Sequence, residues 1–137
     1  MTKTVLVPVD LAHTEVLTGA VSKAAELAKI SSASLTLIGV TGSAPSAAAH
    51  NPEEFEEKLQ AFGRATAEEN GCDVRTKSII DHDVAADLGD VIIKAAEDMD
   101  ADVIVMASHQ PGFLEHFIAS NAGYVASHAK CSVYVVR

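Results

Sequence analysis

Cysteine is scarce in this chain: Cys72 and Cys131 are the only two in 137 residues. Two thiols make no disulfide framework, so the fold must rest on an apolar core, and a cytoplasmic location is the default. Long hydrophobic runs are also missing. None approaches the roughly 20 residues needed to cross a bilayer, which argues against an integral membrane protein. Met1-Thr2-Lys3 leads straight into a strand-like run and then Pro8 and Asp10, too short and too polar-ended for a signal peptide. Basic residues are few. Lys and Arg number 10 against 19 acids, for a net charge of −9, which disfavours nucleic-acid binding because phosphates are repelled. The same field repels small anions at long range, so a bound nucleotide would need local backbone donors or Mg²⁺. Phosphate-binding fingerprints are absent as well. The sequence contains no GxxxxGK[ST], no GxGxxG after its first strand, and no Ser/Thr/Gly-rich loop directly after that strand. P-loop, dinucleotide and flavodoxin-like phosphate sites are thereby excluded.

What is present is a single domain spanning residues 1–137. Apolar residues make up 48% and charged residues 21%, which supports a packed globular chain rather than a disordered one. Thr4–Val9 (TVLVPV) reads as a short buried strand, with pairing ending near Pro8. Thr14 is placed to cap a helix whose apolar positions, Val16, Leu17, Ala20, Val21, Ala24, Leu27 and Ala28, recur at helical spacing as far as Ile30. Leu35–Val40 is a second strand, and the Ser/Ala-rich stretch Thr41–His50 reads as a mobile, linker-like loop. Asn51-Pro52-Glu53-Glu54 is a strong helix start, and Gly71 the expected stop. Val74–Ile80 reads as an edge strand defended by Arg75 and Lys77. A third helix carries Leu88, Val91, Ile92, Ala95 and Met99. Ala101–Met106 is a fourth strand, Ser120–Lys130 a fourth helix and Ser132–Val136 a fifth strand. There is no internal repeat. Strict βα alternation implies a parallel sheet with helices on both faces and right-handed crossovers.

The stretch Val103–Asn121 organises the rest. A buried strand breaks at Ala107-Ser108-His109, passes through Gln110-Pro111-Gly112 and restarts as a helix near Ser120-Asn121. Polar loops that return to a helix N-terminus are where such folds hold anions, so this loop is the expected ligand site. Asp10, at the carboxyl end of the first strand, suits either acceptance from an adenine amino group or ribose hydroxyl, or local capping of its own loop. A phospho-acceptor role would want partner acids and a Lys after the last strand, and the chain ends at Arg137. His109 suits a phosphate or metal contact, or an exposed hydrogen-bonding role. Asp81-His82-Asp83 has metal-ligand composition but reads as a solvated turn. His13, His50, His116 and His128 are scattered and argue nothing. Cys131 reads as a small buried residue and Cys72 as exposed with nothing to activate it. No nucleophile and base come together, so the expectation is not an enzyme.

These residues resemble the universal stress protein family. TVLVPVD, LTLIGV, ADVIVMASH and the closing ASNAGYVASHAKCSVYVVR carry the likeness over nearly the whole chain. The resemblance implies a doubly wound α/β fold: five parallel strands in the order 3-2-1-4-5, adenine-alpha-hydrolase-like. ATP-binding members show G-x2-G-x9-G-(S/T) after the fourth strand. Carried over, the glycine positions fall on Ala107, Gln110 and Ala119, followed by Ser120, in a loop one residue shorter, so all three glycines are replaced. The chain looks closer to an ATP-binding subgroup with ASH-x-P and a Ser-Asn helix start, here Ala107–Pro111 and Ala119-Ser120-Asn121. The family's adenine side maps onto Pro8, Val9, Asp10 and Val40. Its ribose side maps onto Asp10 and Ala107, next to Met106. Its phosphate side maps onto Ser108, His109, Gln110, Ser120 and Asn121. The implied ligand is ATP, ADP or AMP, with Mg²⁺, and the implied role is regulatory in a stress response. The last strand, Ser132–Val136, would pair with a second copy, as is typical of the family. Two alternatives stand beside this: a nucleotide-free dimeric interaction protein, favoured by the lost glycines and the −9 charge, and a slow ATPase.

Overall fold

The computed structural model describes residues 2–108 and 121–137. Its elements are β1 (Thr4–Pro8), α1 (Thr18–Ser31), β2 (Ser34–Thr41), α2 (Pro52–Asn70), β3 (Val74–Ile80), α3 (Val84–Asp98), β4 (Val103–Ala107), α4 (Ala122–His128) and β5 (Ser132–Val136), with a 3-10 turn at Thr14–Leu17. The strands form one sheet in the order β3-β2-β1-β4-β5, all parallel. This is the doubly wound arrangement expected from the alternation.

The two-residue period of β1 divides the core. Val5 and Val7 face one layer with Leu35, Leu37, Val105 and the inward side chains of α1 and α2, among them Ala20, Ala24, Phe55 and Leu59. Leu6 faces the other layer with Ile38, Ile104, Met106, the α3 residues Leu88 and Ile92, and Val125 of α4. Burying both faces is why these strands read as continuous apolar runs rather than alternating ones.

Helix ends follow local chemistry. Asn51 Oδ1 accepts from Glu54 N–H at 2.8 Å, Pro52 sits in the first turn, and Gly71 closes α2 at φ 63° in the left-handed region. Asp83 begins α3 by accepting from Ala86 N–H. The start of α1 departs from expectation. Thr14 caps nothing with its side chain; a 3-10 turn intervenes, and α1 begins only at Thr18. The chain there is already committed to a turn in which His13 N–H donates to Asp10 O at 3.0 Å. β4 also starts two residues later than the apolar run suggests. Asp100 takes φ 50°, and the Asp102 carboxylate accepts from Lys3 and Thr4 N–H at 2.6 and 2.8 Å, so these residues form the turn into the strand. α4 is described from Ala122, and the expected start at Ser120 lies outside the described residues.

Candidate functional site

Strand β1 ends at Pro8, and there the sheet opens. Val9 N–H donates to Ile38 O at 2.8 Å, on the β2 side. Backbone groups alternate sides along a strand, so the position of Pro8 faces β4, and proline has no N–H to offer there. Pairing between β1 and β4 is confined to Val5 with Val103 and Leu6 with Ile104. In the order 3-2-1-4-5 this is the switch point, where connections leave in opposite directions and ligands enter α/β sheets.

A cavity of about 450 Å³ lies beside it, over the carboxyl ends of β1 and β2. Val9, Asp10 and Val40 line it, as do Leu11, Ala12 and His13 from the turn after β1, Phe55 of α2 and Leu88 of α3. Ser46, Ala47 and Ala48 close one side. They belong to the Ser/Ala-rich stretch Thr41–His50, within which several hydrogen bonds form. Ser46 N–H donates to Ala49 O at 2.8 Å, Ser46 Oγ accepts from Ala48 and Ala49 N–H, and Lys58 Nζ donates to Ala48 O at 2.7 Å. Ala49 is buried beneath it.

The expected site residues divide three ways. Val9, Asp10 and Val40 line the cavity. Pro8, Met106 and Ala107 are buried strand residues that do not line it; Ala107 faces the α1/α2 layer and Met106 the α3/α4 layer. Ser108 and Asn121 bracket the loop after β4. Ser108 N–H donates to Val136 O at 2.7 Å, and Asn121 stands at the head of α4, where its Oδ1 would lie 3.0 Å from a Cβ at Gly89. His109, Gln110, Ala119 and Ser120 lie outside the described residues.

Asp10 shows the local bonding that was one of its two readings. Its Oδ1 accepts from Ala12 N–H at 3.0 Å, and its Oδ2 is 3.0 Å from His13 Nδ1. His13, which argued nothing in the sequence, thus joins Asp10 in the lining of the cavity. The available signal was its spacing, three residues beyond an acid that opens a turn.

At the next strand end, Asp81, His82 and Asp87 converge, with ligand-type atoms within 4.8 Å of one another. The hydrogen bond that a protonated Asp87 carboxyl donates to Asp81, together with burial and the negative charge of Asp81, pushes the Asp87 carboxyl above its ordinary value. The neighbouring Asp83 caps α3, and Asp83 N–H donates to Asp81 Oδ2 at 3.1 Å, so these acids organise the helix start. Neither cysteine is fully exposed or fully buried, and burial raises the Cys131 thiol above its ordinary value.

Comparison with known proteins decides the family. The family model described as "Universal stress protein family" matches residues 1–137. The chain belongs to the universal stress protein family. Universal stress protein G of Salmonella typhimurium is 32% identical over 142 residues, covering all of both chains. Among solved structures, a universal stress protein from Lactobacillus plantarum superposes with a TM-score of 0.72 at 20% identity, covering 99% of this chain and 98% of that one. A universal stress protein in complex with cAMP gives 0.70 at 19% identity, covering 99% and 97%. An Arabidopsis thaliana member with AMP bound gives 0.61 at 16%, covering 98% and 90%. These structural likenesses establish the shared fold, a five-stranded universal stress protein sheet. Among the described residues no helix is long and apolar enough to cross a membrane.

Proposed function

We propose that this universal stress protein binds an adenine nucleotide, ATP, ADP or AMP, and acts in the cytoplasm as a regulatory module rather than by turnover. The observation that carries this is the cavity of about 450 Å³ at the carboxyl ends of β1 and β2. Its volume falls in the ~300–1,000 Å³ range of small-molecule sites, and its walls are apolar with a few convergent polar groups. Val9, Val40, Phe55 and Leu88 supply flat apolar contact for a base, and the turn at Asp10 and His13 supplies polar contacts. Family members solved with cAMP and AMP support the ligand class. Pro8, Met106 and Ala107 form the strand ends beneath the ribose side in this reading. Phosphates lie toward Ser108, His109, Gln110, Ala119, Ser120 and Asn121, in the ASHQP…ASN loop that resembles an ATP-binding subgroup. With a net charge of −9, phosphate charge is offset by backbone N–H groups at the head of α4 and by Mg²⁺ carried with the nucleotide.

The test is to purify the protein, denature it, identify released nucleotide by mass spectrometry, and titrate the stripped protein with ATP with and without Mg²⁺. Co-purified adenine nucleotide is expected, or binding lost in Asp10→Ala and weakened in Ser120→Ala. Absence of both sinks the reading. A hydrolysis assay on the same sample is expected to show no turnover above buffer.

A second reading is favoured by β5. Tyr134 and Val135 on this terminal strand are 42% and 37% exposed. An apolar edge of this kind invites pairing with a second copy, which supports a homodimer through Ser132–Val136 with or without nucleotide.

A further inference from the structure

Residues 43–48 read Ser-Ala-Pro-Ser-Ala-Ala, and Ser46, Ala47 and Ala48 form one wall of the cavity. Residues 43–47 are exposed and Ala48 is half-buried, so no large side chain roots the segment in the core. It is folded mainly on itself. Ser46 Oγ accepts from Ala48 and Ala49 N–H, and Ser46 N–H donates to Ala49 O. Gly42 precedes the segment, and the buried Ala49 is its foot. Among the described residues, one side chain from outside bonds to it: Lys58 Nζ donates to Ala48 O at 2.7 Å. The same ammonium lies 3.1 Å from Glu54 Oε1, and Glu54 Oε2 lies 3.0 Å from His50 Nδ1. Segments with few buried contacts and few bonds to the body open at low free energy, and loops of this kind cover ligand sites.

We infer that residues 43–48 are a flap over the cavity and that Lys58 is its latch, setting how fast a ligand enters and leaves. The identity of that ligand, AMP or adenosine, rests on the nucleotide reading above; the opening of the flap does not. Lys58 itself does not line the cavity, so its bond to Ala48 holds the flap closed in the free and the filled protein alike. A contact that does not distinguish the two states changes rates and leaves affinity alone.

Two measurements test this, one of them without ligand. Elastase cuts after small residues and needs an opened segment. Lys58→Met is expected to be cut within residues 44–49 roughly three- to tenfold faster than wild type, the scale of one half-exposed charge-assisted hydrogen bond. Fragment masses locate the cut. NMR lineshapes during titration with AMP and with adenosine give the rates. In Lys58→Met, association and dissociation are expected to accelerate by the same factor, with Kd unchanged. Glu54→Gln removes the ion pair within α2 but keeps the bond to Ala48, and is expected to behave as wild type in both measurements. Unchanged cleavage in Lys58→Met, or an equal increase in Glu54→Gln, overturns the inference. So does a weaker Kd with unchanged association, which would make Lys58 a support of the binding wall; the nucleotide reading survives each of these. If wild type binds neither ligand, the nucleotide reading falls, and faster cleavage in Lys58→Met still supports the latched flap.

Discussion

Single residues tie chain ends together here. Asp102, just before β4, accepts from the backbone N–H of Lys3 and Thr4, and its own N–H donates to Thr4 O at 3.0 Å. One carboxylate thereby registers the start of β1 against β4. Those two backbone bonds hold the Asp102 carboxyl below its ordinary value. A lowered carboxyl adds stability that is fully present above the unfolded-state value and is lost as pH falls through the folded-state value. Asp102→Asn is therefore expected to lower the urea midpoint at neutral pH. The gap from wild type should narrow below about pH 4, where an ordinary Asp begins to protonate. Urea titrations of both proteins across that range check it, and a gap independent of pH would mean that the charge of Asp102 contributes nothing. Asn51 offers a simpler case. Its side chain satisfies a donor that α2 cannot, and Asn51→Ala should cost about 1 kcal/mol in denaturant titration.

Between elements, glycine sets how closely layers approach. A Cβ on Gly39 in β2 would meet the Phe55 ring at 2.7 Å and Leu59 at 3.3 Å, and Phe55 is almost completely buried. Gly39 is what lets α2 lie flat on β2, and the ring so placed is a wall of the cavity. Gly39→Ala should destabilise by ~1–3 kcal/mol, as overpacking does. The displaced ring should also narrow the cavity and weaken adenosine binding. Phe55→Leu in the same chain should recover part of the stability. Thermal unfolding of the single and double variants tests this, and a Gly39→Ala protein as stable as wild type would show that α2 has room to shift. The loop that closes the cavity is an element-scale matter too. Its composition reads as mobile, yet Lys58, a residue of the following helix, donates to it. Nothing in Ser/Ala composition announces that bond.

At the scale of the molecule, the sheet has two edges with different character. β3 alternates, with Arg75 and Lys77 exposed, and so resists edge pairing. β5 presents exposed Tyr134 and Val135. Sedimentation analysis should find a dimer that Val135→Asp converts to monomer, while Arg75→Ala leaves it unchanged. A wild-type monomer at micromolar concentration would overturn the pairing. The −9 charge acts at this scale as well, and the affinity for a polyanionic ligand such as ATP should rise with added salt as long-range repulsion is screened.

The sequence by itself determined the class of fold, the elements of the sheet and helices, the β3 edge, and several ends to the residue. Asn51, Gly71, Val74–Ile80 and Ser132–Val136 stand where residue chemistry places them. Such features depend on periods of 2 and 3.6 residues and on capping, which are local and written in the chain. Only the tertiary structure decided how the site is furnished. His13 meets Asp10 where the turn takes φ −140° and ψ 53° at His13; the spacing from Asp10 hints at the turn, and the backbone angles decide where the ring goes. Phe55, Leu88 and Ala48 join Val9 and Val40 because sheet register and helix packing bring residues far apart in the chain to one rim. A site of this kind is made by side-chain direction and long-range register, and these exist only once the layers have packed.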